Sequence, residues 1–170
     1  MISTDSTPVP TVTSEEFRRV MSSVCTPVSV VTAFDDQRPH GTTVSAFASL
    51  SLAPPMVLVA LDLGSDLLQI IRRSGRFGLN VLSAEQSGLA MTFARKGADK
   101  FADVCWSADG GLPRLDGAAG WLACEVQQLI PGGDHVVAMA TVVAADHHER
   151  SPLTYHQRLF GTHAALPDGQ

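Results

Sequence analysis

Two stretches of strand composition, Trp121 to Ile130 and His135 to Ala145, are separated only by Pro131-Gly-Gly-Asp134, and this spacing constrains the fold more than any other feature of the chain. A short glycine-bearing turn between two such runs closes a long β-hairpin. A lone hairpin is marginal in water, so further strands must cover it. Pro27 to Phe34 is rich in β-branched residues, and the polar turn Asp35-Asp-Gln-Arg-Pro39 leads to a second strand from His40. Met56 to Leu61 is a continuous apolar run between Pro54-Pro55 and Asp62, which predicts a central strand buried on both faces. Arg76 to Leu82 and Leu153 to Phe160 complete the set of strands.

Helical signals are fewer. Thr13 and Glu16 have capping-box spacing ahead of Phe17, Val20, Met21 and Val24, which predicts a short amphipathic helix. Ser65-Asp66 reads as a helix start before Leu67, Leu68, Ile70 and Ile71, with Gly75 as its stop, and Glu85 to Phe93 as a third helix. Many strands joined by short turns, with three helical pieces between them, predict a mainly β chain: a closed or nearly closed barrel with peripheral helices.

With 170 residues, one domain is expected over residues 11–162, between flexible tails at 1–10 and 163–170. A net charge of −5 with scattered cations argues against nucleic acid and against an anionic membrane surface. No apolar run reaches membrane-spanning length and no signal peptide is evident, so the expected location is cytoplasmic. Cys25, Cys105 and Cys124 contain no CxxC pair and read as reduced thiols with packing roles. His147, His148 and Glu149 are adjacent, and neighbouring strand residues point to opposite faces, so no metal site is expected there.

Four features carry chemistry. The stretch from Gly41 to Pro55 crowds small hydroxyl residues into an apolar context, suited to a phosphate or a flat polar ring, although an edge strand ending in a proline turn has the same composition. The helix start at Ser65 offers amides and the positive end of a dipole. Lys100-Phe101 follows the polar segment from Arg95, and reads either as an anion clamp or as a solvated lysine beside a core ring. Gly132-Gly-Asp-His135 sets a histidine just past a tight turn, where its ring either projects into a cleft instead of the core or is a plain turn histidine. No GxGxxG, GxxxxGK[ST] or GxSxG motif occurs, so Rossmann, P-loop and hydrolase readings fall away.

These features stand in an order that resembles the flavin reductase-like, FMN-binding split-barrel family. GTTVSAFASLSLAPPMVLVAL is the most specific match, followed by RFGLNVLS, DKF, GGDH and PLTYHQRLFG, and the similarity covers Glu16 to Gly161. The resemblance implies a Greek-key-like split β-barrel and a homodimer with flavin near the subunit interface. Within the family it is most similar to the reductase components of two-component flavin-dependent monooxygenases.

The implied activity is hydride transfer from NADH or NADPH to FMN or FAD, with the reduced flavin diffusing to a separate monooxygenase. Carried over by position, Thr43, Val44, Ser45, Ala46 and Phe47 match the segment that meets the isoalloxazine ring, and Ser49, Leu50 and Ser51 the adjoining flavin-contacting turn. Gly64 and Ser65 match a phosphate contact, and Lys100 with Phe101 a phosphate and ribityl clamp. His135, with Tyr155, His156, Gln157 and Arg158, matches the nicotinamide-docking region, and His135 is the one candidate catalytic residue. Ala46 departs from the Ser or Asn of many relatives, and TYHQRLFG from their aromatic-Tyr-Arg-Gly run. The competing readings are a split-barrel flavin- or haem-binding module without reductase activity, and a flavoenzyme acting directly on an organic substrate.

Overall fold

A computed structural model describes residues 12–97 and 99–167. The tail expected at 1–10 lies outside the described residues, as do the last three positions of the one expected at 163–170. The strands, numbered in chain order, are β1 (Thr26–Pro27), β2 (Ser29–Asp35), β3 (Arg38–Val44), β4 (Phe47–Leu52), β5 (Pro55–Asp62), β6 (Arg76–Val81), β7 (Trp106–Asp109), β8 (Leu112–Leu115), β9 (Gly120–Gly132), β10 (His135–His147), β11 (Leu153–His156) and β12 (Leu159–Thr162). Helix α1 covers Ser14–Ser22 and α2 Asp66–Ser74, while a 3-10 turn at Ala84–Gln86 leads into α3 (Ser87–Ala94).

Seven strands form one antiparallel sheet in the order β3-β2-β6-β9-β10-β5-β4. Its two edges, β3 and β4, are consecutive in the chain and joined by residues 45 and 46 alone. Laid flat, seven strands at about 4.8 Å spacing would hold those edges roughly 29 Å apart. The three Cα steps from Val44 to Phe47 span at most about 11 Å, so the sheet must curl until its edges meet. This is the nearly closed, mainly β barrel that the strand pattern predicts and the split barrel that the resemblance implies. Register shifts between Met139 and Ala140 and between Val142 and Ala144 bend the long β9–β10 hairpin around it.

Helix α2 fills the barrel. Leu67, Leu68, Ile70 and Ile71 are buried against inward residues that recur every second position, such as Val57, Val59 and Leu61 on β5 and Val136, Ala138 and Ala140 on β10. Each such aliphatic side chain contributes about 1.5–3 kcal/mol of transfer free energy. Gly75, at φ 68°, ends the helix in the left-handed conformation its position implied. A second core lies outside the barrel, where α3 packs Ala90 and Phe93 on Val28, Val30, Leu82 and Phe101.

β5 is not the central, doubly buried strand that its apolar run predicts. It lies second from the β4 edge and buries only Val57, Val59 and Leu61, with Met56, Leu58 and Ala60 half-buried. The strands buried on both faces are β2 and β6; α2 covers one side of β2 and α3 with β8 the other. Leu153 to Phe160 is likewise not one strand. It turns back at Gln157 and Arg158, both at positive φ, to make the β11–β12 hairpin.

The β7–β8 hairpin, absent from the sequence reading, is pinned by a buried polar pair. Asn80 Oδ1 accepts from the Leu115 amide at 2.8 Å, and the Thr32 hydroxyl donates to the Pro113 carbonyl at 2.6 Å. Trp106 of this hairpin packs edge-on against Phe101 with ring centres 5.7 Å apart, which backs the Lys100–Phe101 segment from behind.

Candidate functional site

A cavity of about 550 Å³ opens where β3, the start of α2 and the segment after α3 converge. Gly64, Ser65, Lys100 and Phe101, four of the residues singled out from sequence, line it together. The turn before α2 is built by Asp62, whose Oδ1 accepts from the Gly64 amide at 2.7 Å and whose carbonyl accepts from the Ser65 amide at 3.0 Å. Ser65 is the N-cap of α2, yet its hydroxyl makes no capping bond. An N-cap serine ordinarily satisfies one of the first free amides of its helix. Here those amides and the hydroxyl border the cavity at the positive end of the helix dipole, the arrangement an anionic group requires.

Lys100 faces this helix end. Its Nζ donates to the carbonyls of Phe93, at 2.9 Å, and Gly41, at 3.1 Å. An ammonium has three donors, so one remains for a ligand. Partial burial pulls its pKa below the usual lysine value, and the carboxylate of Asp66 pushes it back up. An incoming anion would restore the solvation that burial removes. Phe101 is only 6% exposed and stacks edge-on with Phe93 at 4.9 Å, so it is mainly a core ring whose edge forms the cavity wall.

The hydroxyl stretch divides along its length. Thr43 donates to the Ala90 carbonyl at 2.6 Å, tying β3 to α3, and Val44 is buried in the barrel core, so neither has a free polar group. Ser45 and Ala46 form the exposed crossing between the two sheet edges, where the Ala46 carbonyl accepts from the Ala60 amide at 2.8 Å. Phe47 packs on the barrel core, while Ser49 and Leu50 on β4 are exposed. The Ser51 hydroxyl accepts from the Ala53 amide at 3.3 Å. The residues from Thr43 to Ser51 therefore flank the cavity through β3 and do not line it.

His135 opens β10 directly opposite Asp62 of β5, beside the α2 turn, and its Nδ1 lies 2.7 Å from Asp134 Oδ1. The histidine holds the Asp134 carboxyl below its usual pKa through this hydrogen bond and its charge. Tyr155, His156, Gln157 and Arg158 are elsewhere, in the small β1-β11-β12 sheet. That sheet hangs from Val28 and Leu82 by backbone bonds to Leu153, at the end of the barrel where Gly120 pairs with Val81 and His147. The thirteen residues of β10, up to roughly 40 Å at 3.3 Å per residue, separate that end from His135. One chain does not bring the two nicotinamide-docking groups together.

Sequence reading passed over several lining residues, chiefly Arg38 and His40 at the start of β3 and Arg95 and Lys96 after α3. Arg38 belongs to a segment read as a polar turn, His40 to the start of the strand that follows it, and Arg95 and Lys96 to a polar segment. The contact of α3 with β3, through Phe93 against Gly41 and the Thr43 bond to Ala90, brings them to one rim. A separate cleft of about 210 Å³ holds His148 and Arg150 near Arg114. Arg114 is itself engaged by Asp109, at 2.9 Å, and by Asp146.

Comparison with known proteins gives a consistent picture. Residues 21–164 match the family described as flavin reductase like domain. The chain is 42% identical over 146 residues to the reductase component of 4-nitrophenol 4-monooxygenase/4-nitrocatechol 2-monooxygenase from Rhodococcus opacus, spanning 86% of this chain and 79% of that protein. The crystal structure of nitrilotriacetate monooxygenase component B from Mycobacterium thermoresistibile superposes with a TM-score of 0.86 at 31% identity, covering 92% of this chain and 91% of that one. An NADH:FAD oxidoreductase of Streptomyces globisporus C-1027, solved in complex with NAD and FAD fragments, superposes with a TM-score of 0.84 at 31% identity, covering 92% and 94%.

Proposed function

The chain belongs to the flavin reductase-like domain family, and from that premise we propose that it takes a hydride from NADH or NADPH, places it on FMN or FAD, and supplies the reduced flavin to a separate monooxygenase. The observation that carries this reading is the cavity where an uncapped helix N-terminus and the free donor of Lys100 converge. A flavin phosphate fits that donor set, since both partners favour an anion and Lys100, though it feels the Asp66 carboxylate, forms no ion pair among the described residues. When bound, the flavin supplies the chemistry, accepting at N5 the hydride that leaves nicotinamide C4.

The protein's share is placement. Ser65 and Lys100 hold the phosphate, and β3, backed by α3 through Thr43, fixes the wall along which the rest of the flavin lies. The exposed crossing at Ser45 and Ala46 and the start of β4 border the ring. His135, oriented by Asp134, steadies the nicotinamide. Stacking two rings in contact makes an intermolecular transfer effectively intramolecular, and no general acid or base is required. Replacement of His135 by Ala should raise the KM for the nicotinamide; an unchanged KM and rate would exclude its role.

His135 and the Tyr155–Arg158 hairpin join in one site only if two copies contribute. A homodimer is therefore part of the proposal. Its support is the apolar face of α1, where Phe17, Val20 and Met21, with Val24 just past the helix end, are exposed beside the β11–β12 turn, to which Ser22 is tied by its carbonyl accepting from the Gln157 amide at 3.0 Å. Light scattering should give a mass near twice 18.0 kDa; a monomer at assay concentration would overturn the shared site. No helix among the described residues is long and apolar enough to cross a membrane, and with three free cysteines we place the enzyme in the cytoplasm. A steady-state assay crossing NADH and NADPH with FMN, FAD and riboflavin tests the activity. Oxidation of neither nicotinamide with any flavin would refute it.

A further inference from the structure

Four of the twelve Lys and Arg residues of this chain, Arg38, Arg95, Lys96 and Lys100, line one cavity, although the chain as a whole carries a net charge of −5. Only Lys100 is held by neighbouring groups, the two carbonyls described above. Arg38, Arg95 and Lys96 are exposed at the rim and make no ion pair among the described residues. Two of the three carboxylates of the lining are turned to backbone amides instead, Asp62 to Gly64 and Asp99 to Phe101. Against Asp62, Asp66 and Asp99 the four cations leave the lining net positive, and the three at the rim are unpaired among the described residues.

One phosphate is fully served by the inner set of helix amides, Ser65 hydroxyl and Lys100 donor. The rim cations lie beyond it. Arg38 is three residues before Gly41, whose carbonyl anchors Lys100, so its Cα stands about 10 Å further along β3. That is the scale of a second phosphate followed by a nucleoside. Arginine suits both parts, since its fork binds phosphate oxygens and its plane stacks on a base.

Resting on the reductase reading above, we propose that Arg38 and Lys96, with Arg95 beside them, form a second phosphate station that takes the adenylate half of FAD and makes FAD the preferred flavin over FMN. The inner station is common to both flavins. The rim station is engaged by FAD alone. Because the rim contacts are exposed, salt screens them more than it screens the part-buried Lys100, so the preference for FAD should narrow as ionic strength rises.

Titration calorimetry of the full chain with FAD, FMN and riboflavin, in low and high salt, tests this without turnover. FAD should bind about tenfold tighter than FMN at low salt, the scale of one or two exposed charge-assisted contacts. The double variant Arg38→Ala/Lys96→Ala should lose about that factor for FAD while its affinity for FMN moves less than twofold. Both positions are exposed, and an unchanged melting temperature will show that the variant folds. Equal affinity of the wild type for FMN and FAD would overturn the proposal, as would equal losses for both in the variant. So would a variant with unchanged FAD affinity and a raised KM for NADH, which would assign the rim to the nicotinamide nucleotide. Failure of the reductase reading itself is distinct: no flavin would then support NADH or NADPH oxidation.

Discussion

Replacing Gly41 with Ala tests how the cavity is held together. A Cβ at this position would fall 2.7 Å from Phe93 Cε1, 2.8 Å from Cδ1 and 3.3 Å from Val30 Cγ1. Carbon atoms pack at about 3.5 Å or more, so strand and ring must separate by roughly 0.8 Å. The ring has no room to turn, being fully buried and edge-on to Phe101. Overpacking of this kind costs about 1–3 kcal/mol. For a domain of this size that lowers the melting temperature by between about 2 and 12 °C. Lys100 bridges the carbonyls of Gly41 and Phe93, the two groups being forced apart, so the ammonium loses one of its anchors. The flavin KM should rise more than kcat falls. Thermal melts and steady-state kinetics read both effects. Adding Phe93→Leu removes the offending ring edge, so the double variant should be more stable than the sum of the two single losses. An unshifted melting temperature, or strictly additive losses, would refute this account of the β3–α3 contact.

Three further outcomes follow from the packing and electrostatics. Leu68→Ala, at a fully buried position where α2 fills the barrel, should cost about 2–5 kcal/mol in chemical denaturation, and a loss below 1 kcal/mol would mean that α2 is not the core of the barrel. Burial pushes the Cys124 thiol up to about 12, so a thiol reagent at mildly alkaline pH should modify Cys25 and Cys105 in the native protein and reach Cys124 only in denaturant; rapid native modification of all three would contradict its burial. The Arg114 hydrogen bond holds the Asp146 carboxyl below its usual range, so this interaction is fully present above the unfolded carboxyl pKa of about 3.9 and is lost as pH falls through the lower folded value. The melting-temperature gap between wild type and Asp146→Asn should therefore be constant near neutrality and shrink in acid, and a gap that persists in acid would show that charge is not its source.

Features set by local chemistry were legible in the sequence. The Thr13–Glu16 capping box is formed on both sides, with the Glu16 amide donating to the Thr13 hydroxyl and the Thr13 amide to the Glu16 carboxylate. Gly75 and Gly133 occupy the left-handed conformations that end α2 and turn the β9–β10 hairpin. The β11–β12 turn was hidden because Gln157 and Arg158, residues that give no turn signal, adopt positive φ there. The rank of β5 in the sheet was hidden for another reason. An apolar run shows that a strand is buried but not which strands flank it.

The site followed the same division. Ser65 and Lys100 announced themselves through a helix start and a polar segment, and the structure places them on one cavity. Arg38 and Lys96 did not, because the contact that brings them together, Gly41 against Phe93, joins residues fifty-two positions apart. His135 and Tyr155 were grouped by the family resemblance, which does not show how far apart one chain holds them. They are twenty positions apart in the chain, yet almost the whole of β10 stands between them in the fold.

Anaerobic mixing of the purified protein with NADH or NADPH and added flavin tests the central claim most directly. The account predicts that the oxidised-flavin absorption bleaches over many turnovers, mole for mole with nicotinamide oxidised, and that the reduced flavin passes through an ultrafiltration membrane that retains the protein. Flavin that stays with the protein and is never turned over, or nicotinamide that is not oxidised with any flavin, would contradict it.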